Sequence, residues 1–304
     1  NFSLSAGGEY LAIVRPNGTT VDDSFSPAFP EQFTDTSYGA PSVGGQPVFF
    51  QSTTPGSINN APAFPGVVKD TNFSTDRGFY TDTFQLVITS DTPGATIRYT
   101  LDGTPPTATS GTVYTGPITI TTTTTVRSLA TFSDWLPTNI DSHTYIFVDD
   151  VASQPSNPPG WPSDWGSHDG FNPIPADYEM DPRVVNNTNG QGVPTIQDAL
   201  LDIPTISISM NPDDFISDAT GIYANPQTRT ERVCSMEYIL PDGSRGFQED
   251  CKIETHGNAS RRPARMHKHS LRLTFSSEVG IPKLNFPLFP QSDVETFNKL
   301  VLRA

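Results

Sequence analysis

Short apolar runs bounded by turn-forming residues recur along the chain. They are rich in β-branched and aromatic side chains and in places alternate between apolar and polar positions, which predicts β-strands. The clearest runs are residues 10–14, 84–89, 95–101, 118–120, 126–130, 143–147 and 206–210. The hydrophobic pattern is therefore typical of a mainly β protein.

Two short segments favour helix instead. Residues 195–201 can form one helix, and Asn211 is a suitable N-cap for a second at residues 212–216, with Pro212 in its first turn. The 29 proline and 23 glycine residues argue against a large helical core. A chain of 304 residues has room for two or three domains.

Shifts in composition divide the chain into five parts. Pro, Gly, Ser and Asn are concentrated in residues 41–67, where Phe49, Phe50 and Phe64 still need apolar contacts. Pattern and composition predict a mainly β, multidomain fold class, with a strand-rich segment at 1–40, a linker at 41–67, a compact all-β domain at 68–148, an irregular connector at 149–203 and a further unit at 204–304.

Charge is distributed unevenly over these parts. The formal net charge is −15. Residues 1–200 hold 20 acidic and 6 basic residues, whereas residues 201–304 hold 13 acidic and 12 basic residues. The acidic balance makes nucleic acid an unsuitable partner, and no apolar run is long enough to predict a transmembrane segment.

The two cysteines are predicted to lie opposite each other in a hairpin. Pro241-Asp242-Gly243-Ser244 is a two-residue turn signal, and pairing about its centre places Cys234 across from Cys251. This spacing suits a disulfide, which would indicate an extracellular or cell-envelope location. The alternative is a pair of small buried thiols on one strand face.

Residues 252–275 form the chain's main cationic stretch. Six of the 18 Lys and Arg residues and three of the five His residues fall within these 24 positions, around the turn formers Gly257, Asn258 and Ser260. Exposed N–H groups beside cations can hold an anion such as phosphate. A solvated basic face that protects an edge strand remains the alternative.

Two segments resemble families of β domains. NFSLSAGGEYLAIVRPNGTTVDDSFSPAFPEQFTDTSYG, at residues 1–39, is similar to the last strands of the lamin-tail domain, an immunoglobulin-like sandwich found in large secreted bacterial proteins. ATIRYTLDGTPPTATSGTVYTGPITIT, at residues 95–121, resembles the C-terminal domain of chitobiase and β-hexosaminidase, which is an accessory immunoglobulin-like module. Tyr99 and Tyr114 of that module are expected to be core residues rather than sugar contacts.

The last part resembles the start of the CotH family of spore-coat-type atypical protein kinases. Its matching elements occur in the order GIYANP, SMEYILPDG, HGNASRRPARMHKHSLRLTF, PKLNFPLFP and FNKLVLRA. The resemblance implies a kinase-like fold that uses ATP and a divalent metal. It places Gly257, Asn258 and Ser260 in a loop over the phosphates, with Lys268 or Arg272 pairing with them.

These family resemblances further imply that 1–40 is a partial β domain, that 68–148 is an immunoglobulin-like β-sandwich and that 204–304 is the start of an α+β domain. Together they predict the start of a secreted CotH-like kinase with accessory sandwiches, located outside the cell or in its envelope. A protein substrate and a surface glycan or matrix are the expected partners. No catalytic residue or metal ligand is predicted, because the acidic residues after Phe275 are only Glu278, Asp293 and Glu295, without metal-pair spacing. The alternative is a non-catalytic surface binding or structural protein.

Overall fold

The computed structural model describes residues 3–33, 36–168, 173–186, 194–244, 246–263, 265–289 and 291–304. Residues 1, 2, 34 and 35 of the predicted first domain, and residues 169–172 and 187–193 of the predicted connector, lie outside the described part. The structure is mainly β, as the apolar pattern predicted. It divides into two compact units, residues 1–68 with 132–136, and residues 69–131 with 137–304.

The described elements are short. The strands are β1 (Leu11–Val14), β2 (Val21–Phe25), β3 (Ser37–Gly39), β4 (Val48–Phe50), β5 (Ala63–Phe64), β6 (Thr71–Phe73), β7 (Gly78–Phe79), β8 (Phe84–Leu86), β9 (Ile88–Ser90), β10 (Thr96–Thr100), β11 (Thr112–Val113), β12 (Ile118–Ile120), β13 (Thr124–Thr131), β14 (Asp141–Ile146), β15 (Asp164–His168), β16 (Pro173–Pro175), β17 (Thr205–Ser209), β18 (Arg232–Ile239), β19 (Phe247–Thr255), β20 (Leu271–Thr274), β21 (Leu284–Asn285), β22 (Thr296–Phe297) and β23 (Lys299–Leu302). The helices are α1 (Val148–Ser153), α2 (Pro182–Val185), α3 (Ile196–Leu200) and α4 (Pro212–Ile216), with a 3₁₀ turn at Ala259–Arg261.

The first unit contains a hairpin and a three-stranded sheet. β1 pairs with β2 around a turn at Asn17-Gly18, where the Asn17 side chain accepts the N–H groups of Thr19 and Thr20. The sheet has the order β3-β4-β5. Residues 41–67, expected to be a linker, supply β4 and β5 and bury Phe49 and Phe50, which satisfies their need for apolar contacts.

The second unit begins with a β-sandwich domain. Its larger sheet has the order β11-β10-β13-β14-β7, and β12-β8 and β6-β9 form two further pairs. The predicted strand at residues 84–89 is divided into β8 and β9. Tyr99 and Tyr114 are half-buried with their ring centroids 6.4 Å apart. Its fully buried side chains include Leu86, Ile88, Ile120, Val126 and Tyr145.

A second five-stranded antiparallel sheet follows, with the order β17-β18-β19-β20-β23. Successive side chains in a strand point to opposite sides of the sheet. Apolar residues alternate with polar ones along these strands, so one face of the sheet is apolar. Both predicted helices are present, α3 with a capping box at Thr195 and α4 with Asn211 as N-cap. The apolar face is centred on Met236, Cys251, Ile253, Leu273 and Leu300.

The register about the predicted hairpin turn is confirmed. Cys234 pairs with Cys251 across β18 and β19, and both side chains are buried. Their Sγ atoms lie 3.6 Å apart, and both residues are free thiols in the described hairpin. The predicted disulfide is therefore not present, and the structure has the alternative, a buried thiol pair. Contact with Cys251 and burial raise the pKa of Cys234.

The polar face of the second sheet packs against β14 of the sandwich. Ser207, Glu237 and Gln248 are neighbours across β17, β18 and β19. Glu237 is fully buried and accepts the Thr144 N–H at 3.0 Å and the Thr144 hydroxyl, while Arg77 Nε lies 3.5 Å from its Oε1. Burial raises the pKa of Glu237 to about 7. Thus a buried carboxyl joins the two sheets.

Aromatic residues of the connector pack onto the last domain. Trp165 is buried, and its ring centroid lies 5.0 Å from that of Tyr223 and 4.8 Å from that of Tyr178. The ring centroid of Tyr223 in turn lies 5.0 Å from that of His269. A continuous series of ring contacts therefore links the connector to the loop that follows β19.

Candidate functional site

The predicted loop of small residues lies between β19 and β20 and begins with a turn that requires glycine. Gly257 has φ +109°, and a Cβ added there would lie 1.9 Å from the Ser260 Oγ. Ser260 donates its hydroxyl to the His256 carbonyl at 3.2 Å. Asn258 is exposed and directly precedes the 3₁₀ turn. The three turn formers are thus brought together in one tight turn.

Arg261 occupies the inside of this loop. Its side chain is 3% exposed, and its Nε donates to the Gly257 carbonyl at 2.5 Å. The Arg261 carbonyl accepts from Gln227 Nε2, also at 2.5 Å. Its Nη1 is buried, with no hydrogen-bond partner among the described residues. The loop therefore holds a cationic donor in a fixed position with one N–H group unused.

Arg272 lies on β20 beside the loop. It is directly opposite Glu254 of β19 and forms an ion pair with that buried carboxylate. The neighbouring residues Leu271 and Leu273 face the apolar core, so Arg272 lies on the polar face, because side chains alternate along a strand. The Arg272 Nε is buried and unpartnered within the described part of the chain.

A third arginine completes the group. Arg229 is exposed and comes from the segment that precedes β18. Burial lowers the pKa of Arg261, the positive charges of Arg229 and Arg272 lower it further, and Glu254 acts in the opposite direction. We call Arg229, Arg261 and Arg272 the arginine cluster. Among the described residues, Glu254 is the carboxylate that pairs with this cluster, and it balances only part of the charge of the three cations.

Lys268 is placed differently from Arg272. Its Nζ lies 3.1 Å from Asp177 Oδ2 of the connector, and both side chains are about half exposed. The ammonium group is therefore already paired with a carboxylate at the surface. The predicted site residues Gly257, Ser260 and Arg272 are gathered near Arg261, whereas Lys268 forms a link to the connector.

His269 fixes the far end of the loop. Its backbone N–H donates to the Tyr223 hydroxyl at 3.0 Å, and its Nδ1 lies 3.0 Å from the Ser260 carbonyl. Burial lowers the pKa of His269, so the ring is neutral near pH 7. The loop is thereby anchored at both ends, and its cationic character comes from arginine rather than from histidine.

Sequence reasoning did not identify Arg229, Arg261 or Glu254 as site residues. Arg261 belonged to the basic stretch, but four neighbouring cations gave the same signal. Glu254 alternates with the apolar Ile253 on β19 and pairs with Arg272 only once the strand register is known. Arg229 lies outside the stretch, so no local pattern pointed to it.

The described residues show neither a metal centre nor a membrane-spanning helix. They contain no group of three or more His, Cys, Asp or Glu side chains arranged to hold a metal ion. No helix formed by these residues is long and apolar enough to cross a bilayer. The geometry at the loop therefore supports an anion site without supplying metal ligands of its own.

Comparison with known proteins identifies one part of the chain. Residues 75–136 match the family described as the chitobiase/beta-hexosaminidase C-terminal domain. Neither the curated proteins nor the solved structures contain a significant match. The match agrees with the observed β-sandwich and with the resemblance seen in residues 95–121. The matched segment lies within the β-sandwich, and the loop with the arginine cluster lies outside it.

Proposed function

We propose that the arginine cluster binds the phosphate groups of ATP, in a CotH-like atypical protein kinase that carries β-sandwich accessory modules. The observation that carries the proposal is the pair of buried, unpartnered N–H groups, Arg261 Nη1 and Arg272 Nε, beside the Gly257 turn. A buried donor without an acceptor costs about 1–3 kcal/mol, and more when it is charged. An anion at this point would remove that cost.

Phosphate suits these donors better than a simple carboxylate ligand does. Guanidinium groups bind phosphate oxygens through two parallel hydrogen bonds, and several arginines can share its oxygens. Arg272 pairs with Glu254, and the charges of Arg229, Arg272 and Glu254 all act on Arg261, so an additional dianionic group improves the local charge balance. Glu254 would keep Arg272 in position while leaving its Nε for the ligand.

The residues fit a nucleotide phosphate but not its metal ion. In a phosphoryl transfer, the metal bridges phosphate oxygens and neutralises developing charge. Within the described residues no suitable group of metal ligands is present. In the CotH family, the metal-binding carboxylates follow the segment that corresponds to residues 204–304. This chain's own contribution would be to hold and orient the phosphates through Arg261, Arg272 and the Gly257 turn.

The proposed setting is outside the cell or in its envelope, with a protein as the phosphate acceptor. The lamin-tail resemblance at residues 1–39 supports this setting, since that domain occurs in large secreted bacterial proteins. The matched accessory module at residues 75–136 is compatible with it. The competing hypothesis is a non-catalytic surface protein whose sandwiches attach to glycan or matrix.

Transfer of radiolabelled γ-phosphate from ATP to protein, with Mg²⁺ or Mn²⁺, tests the enzymatic proposal. The assay uses the native protein, including whatever sequence follows Ala304. We expect transfer that falls at least about ten-fold in Arg272→Ala, since one charge-assisted contact is worth roughly 1.5–3 kcal/mol. Circular dichroism confirms folding of the variant. No transfer would favour the non-catalytic surface protein, whereas equal transfer by both proteins would contradict the assignment of Arg272 to the phosphate site.

A further inference from the structure

The second unit contains a large cavity that is separate from the arginine cluster. Its volume is about 1070 Å³, at the upper end of the usual range for ligand sites. Its floor is apolar and is formed by side chains such as Ile208, Met210, Ile253 and Leu271. Its other walls come from the sandwich and the connector. Arg229, Arg261 and Arg272 are not among the described residues that line it.

One wall of the cavity is a set of aromatic rings. Trp161 is 43% exposed, and its ring centroid lies 5.7 Å from that of Tyr178. Tyr178 packs in turn on Trp165, and its hydroxyl donates to the Pro162 carbonyl at 3.0 Å. Trp161 is thus an accessible ring that its neighbours hold in place. The Trp165 Nε1 is a buried donor without an acceptor in the described structure.

A second part of the lining consists of hydroxyl-bearing and acidic residues. It includes the hydroxyl-bearing residues 122–125 together with Asp102 and Asp150. Asp150 accepts the Thr123 N–H at 2.7 Å, and Asp102 accepts both the N–H and the hydroxyl of Thr104. Both carboxylates are therefore fixed, and each keeps further capacity to accept hydrogen bonds.

The chemistry of the lining restricts the class of ligand. No Lys, Arg or His is present among the described lining residues, so the cavity offers nothing to neutralise an anion. Nucleotides and acidic sugars are excluded on this ground. Rigid aromatic rings, carboxylates and hydroxyl groups in one cavity suit a ligand with an apolar C–H face and several O–H donors.

We propose that this cavity binds a neutral saccharide, with one pyranose ring stacked on Trp161. The sugar hydroxyls would donate to Asp102 or Asp150, and a ring or hydroxyl oxygen would accept from Trp165 Nε1. A proline-rich peptide could also stack on aromatic rings, but its backbone offers few donors for two carboxylates. The saccharide therefore uses more of the cavity's polar groups.

Isothermal titration calorimetry with three neutral hexasaccharides tests this site. The probes are β-1,4-linked glucose, β-1,4-linked N-acetylglucosamine and α-1,4-linked glucose. We expect at least one to bind, and Trp161→Ala to weaken its binding ten-fold or more. Phe289→Ala is the matched control, since Phe289 is also exposed and makes one ring contact, with Phe297, but does not line the cavity.

Three outcomes would overturn the saccharide site. The first is that none of the three probes binds. The second is that a bound probe keeps its affinity in Trp161→Ala. The third is that a ten-residue polyproline peptide binds through Trp161 in place of the sugars. Trp161 is exposed, so its replacement leaves the buried core intact. A titration with ATP on the same variant separates the two proposals, because loss of the saccharide site should leave ATP affinity unchanged.

Discussion

Gly257 shows how one residue shapes the proposed phosphate loop. Its positive φ directs the Gly257 carbonyl to Arg261 Nε. The position that a Cβ would take at residue 257 is already filled by the Ser260 hydroxyl. A Cβ would add both backbone strain and a steric clash. The glycine therefore positions Arg261 and does not merely permit a turn.

The substitution Gly257→Ala is expected to destabilise the protein more than Gly243→Ala. Gly243 has a similar positive φ, +72°, but no described atom lies within 4 Å of its added Cβ. Both variants therefore have left-handed strain, worth about 1–3 kcal/mol, and only Gly257→Ala adds the contact with Ser260. Urea unfolding gives the two free energies. Equal losses would show that the Ser260 contact is not constraining.

At this scale the sequence predicted residue types better than residue partners. The turn formers Gly257, Asn258 and Ser260 were recognised because their backbone preferences are local. The sequence did not predict which of Lys268 and Arg272 lies at the loop. That placement depends on their partners, because Lys268 pairs with Asp177 and Arg272 pairs with Glu254. Those two carboxylates come from different parts of the chain and meet the cations only after folding.

Among the elements, the hairpin of β18 and β19 was the most predictable. A two-residue turn fixes the register, and the register fixes which side chains are opposite each other. The pairing of Cys234 with Cys251 followed directly, but the oxidation state of the pair did not. The burial of Glu237 was also unpredictable, because the sheet that covers it belongs to another domain and to residues about ninety positions earlier.

Glu237→Gln is expected to change the pH dependence of stability. Because the pKa of Glu237 is raised from 4.5 to about 7 by burial, the folded protein binds more protons than the unfolded chain between these values. The contribution of this group to the free energy of unfolding therefore falls as the pH rises from about 4.5 to 7. Glutamine keeps the acceptor oxygen for Thr144 without this titration.

Urea unfolding of both proteins between pH 5 and pH 8 measures this effect. The stability of Glu237→Gln relative to the unmodified protein should increase with pH, by up to roughly 3 kcal/mol. Asp141 and His143 also have pKa values shifted by burial, but they are common to both proteins and cancel in the difference. Glu295→Gln, at an exposed position, is the control. A pH-independent difference for Glu237→Gln would show that this carboxyl does not titrate.

For the whole molecule, composition and periodicity predicted a β-rich chain with short helices, and the structure agrees. The sequence of residues 95–121 resembles the chitobiase/beta-hexosaminidase C-terminal domain, and residues 75–136 match that family. The lamin-tail and CotH resemblances remain predictions. The features that the sequence did not predict depend on long-range packing. One of them is the cavity, whose walls come from the sandwich, the connector and the second sheet.

The most direct test of the central claim is the affinity for ATP, measured by isothermal titration calorimetry on three proteins. We expect the unmodified protein to bind ATP and Arg229→Ala to bind at least about five-fold more weakly, which corresponds to roughly 1 kcal/mol. Lys268→Ala should change the affinity by less than about two-fold, because Lys268 is paired with Asp177. Arg229 and Lys268 are both exposed, so neither change should disturb folding. An affinity that is lost with Lys268 but not with Arg229, or no ATP binding at all, would contradict a phosphate site at the arginine cluster.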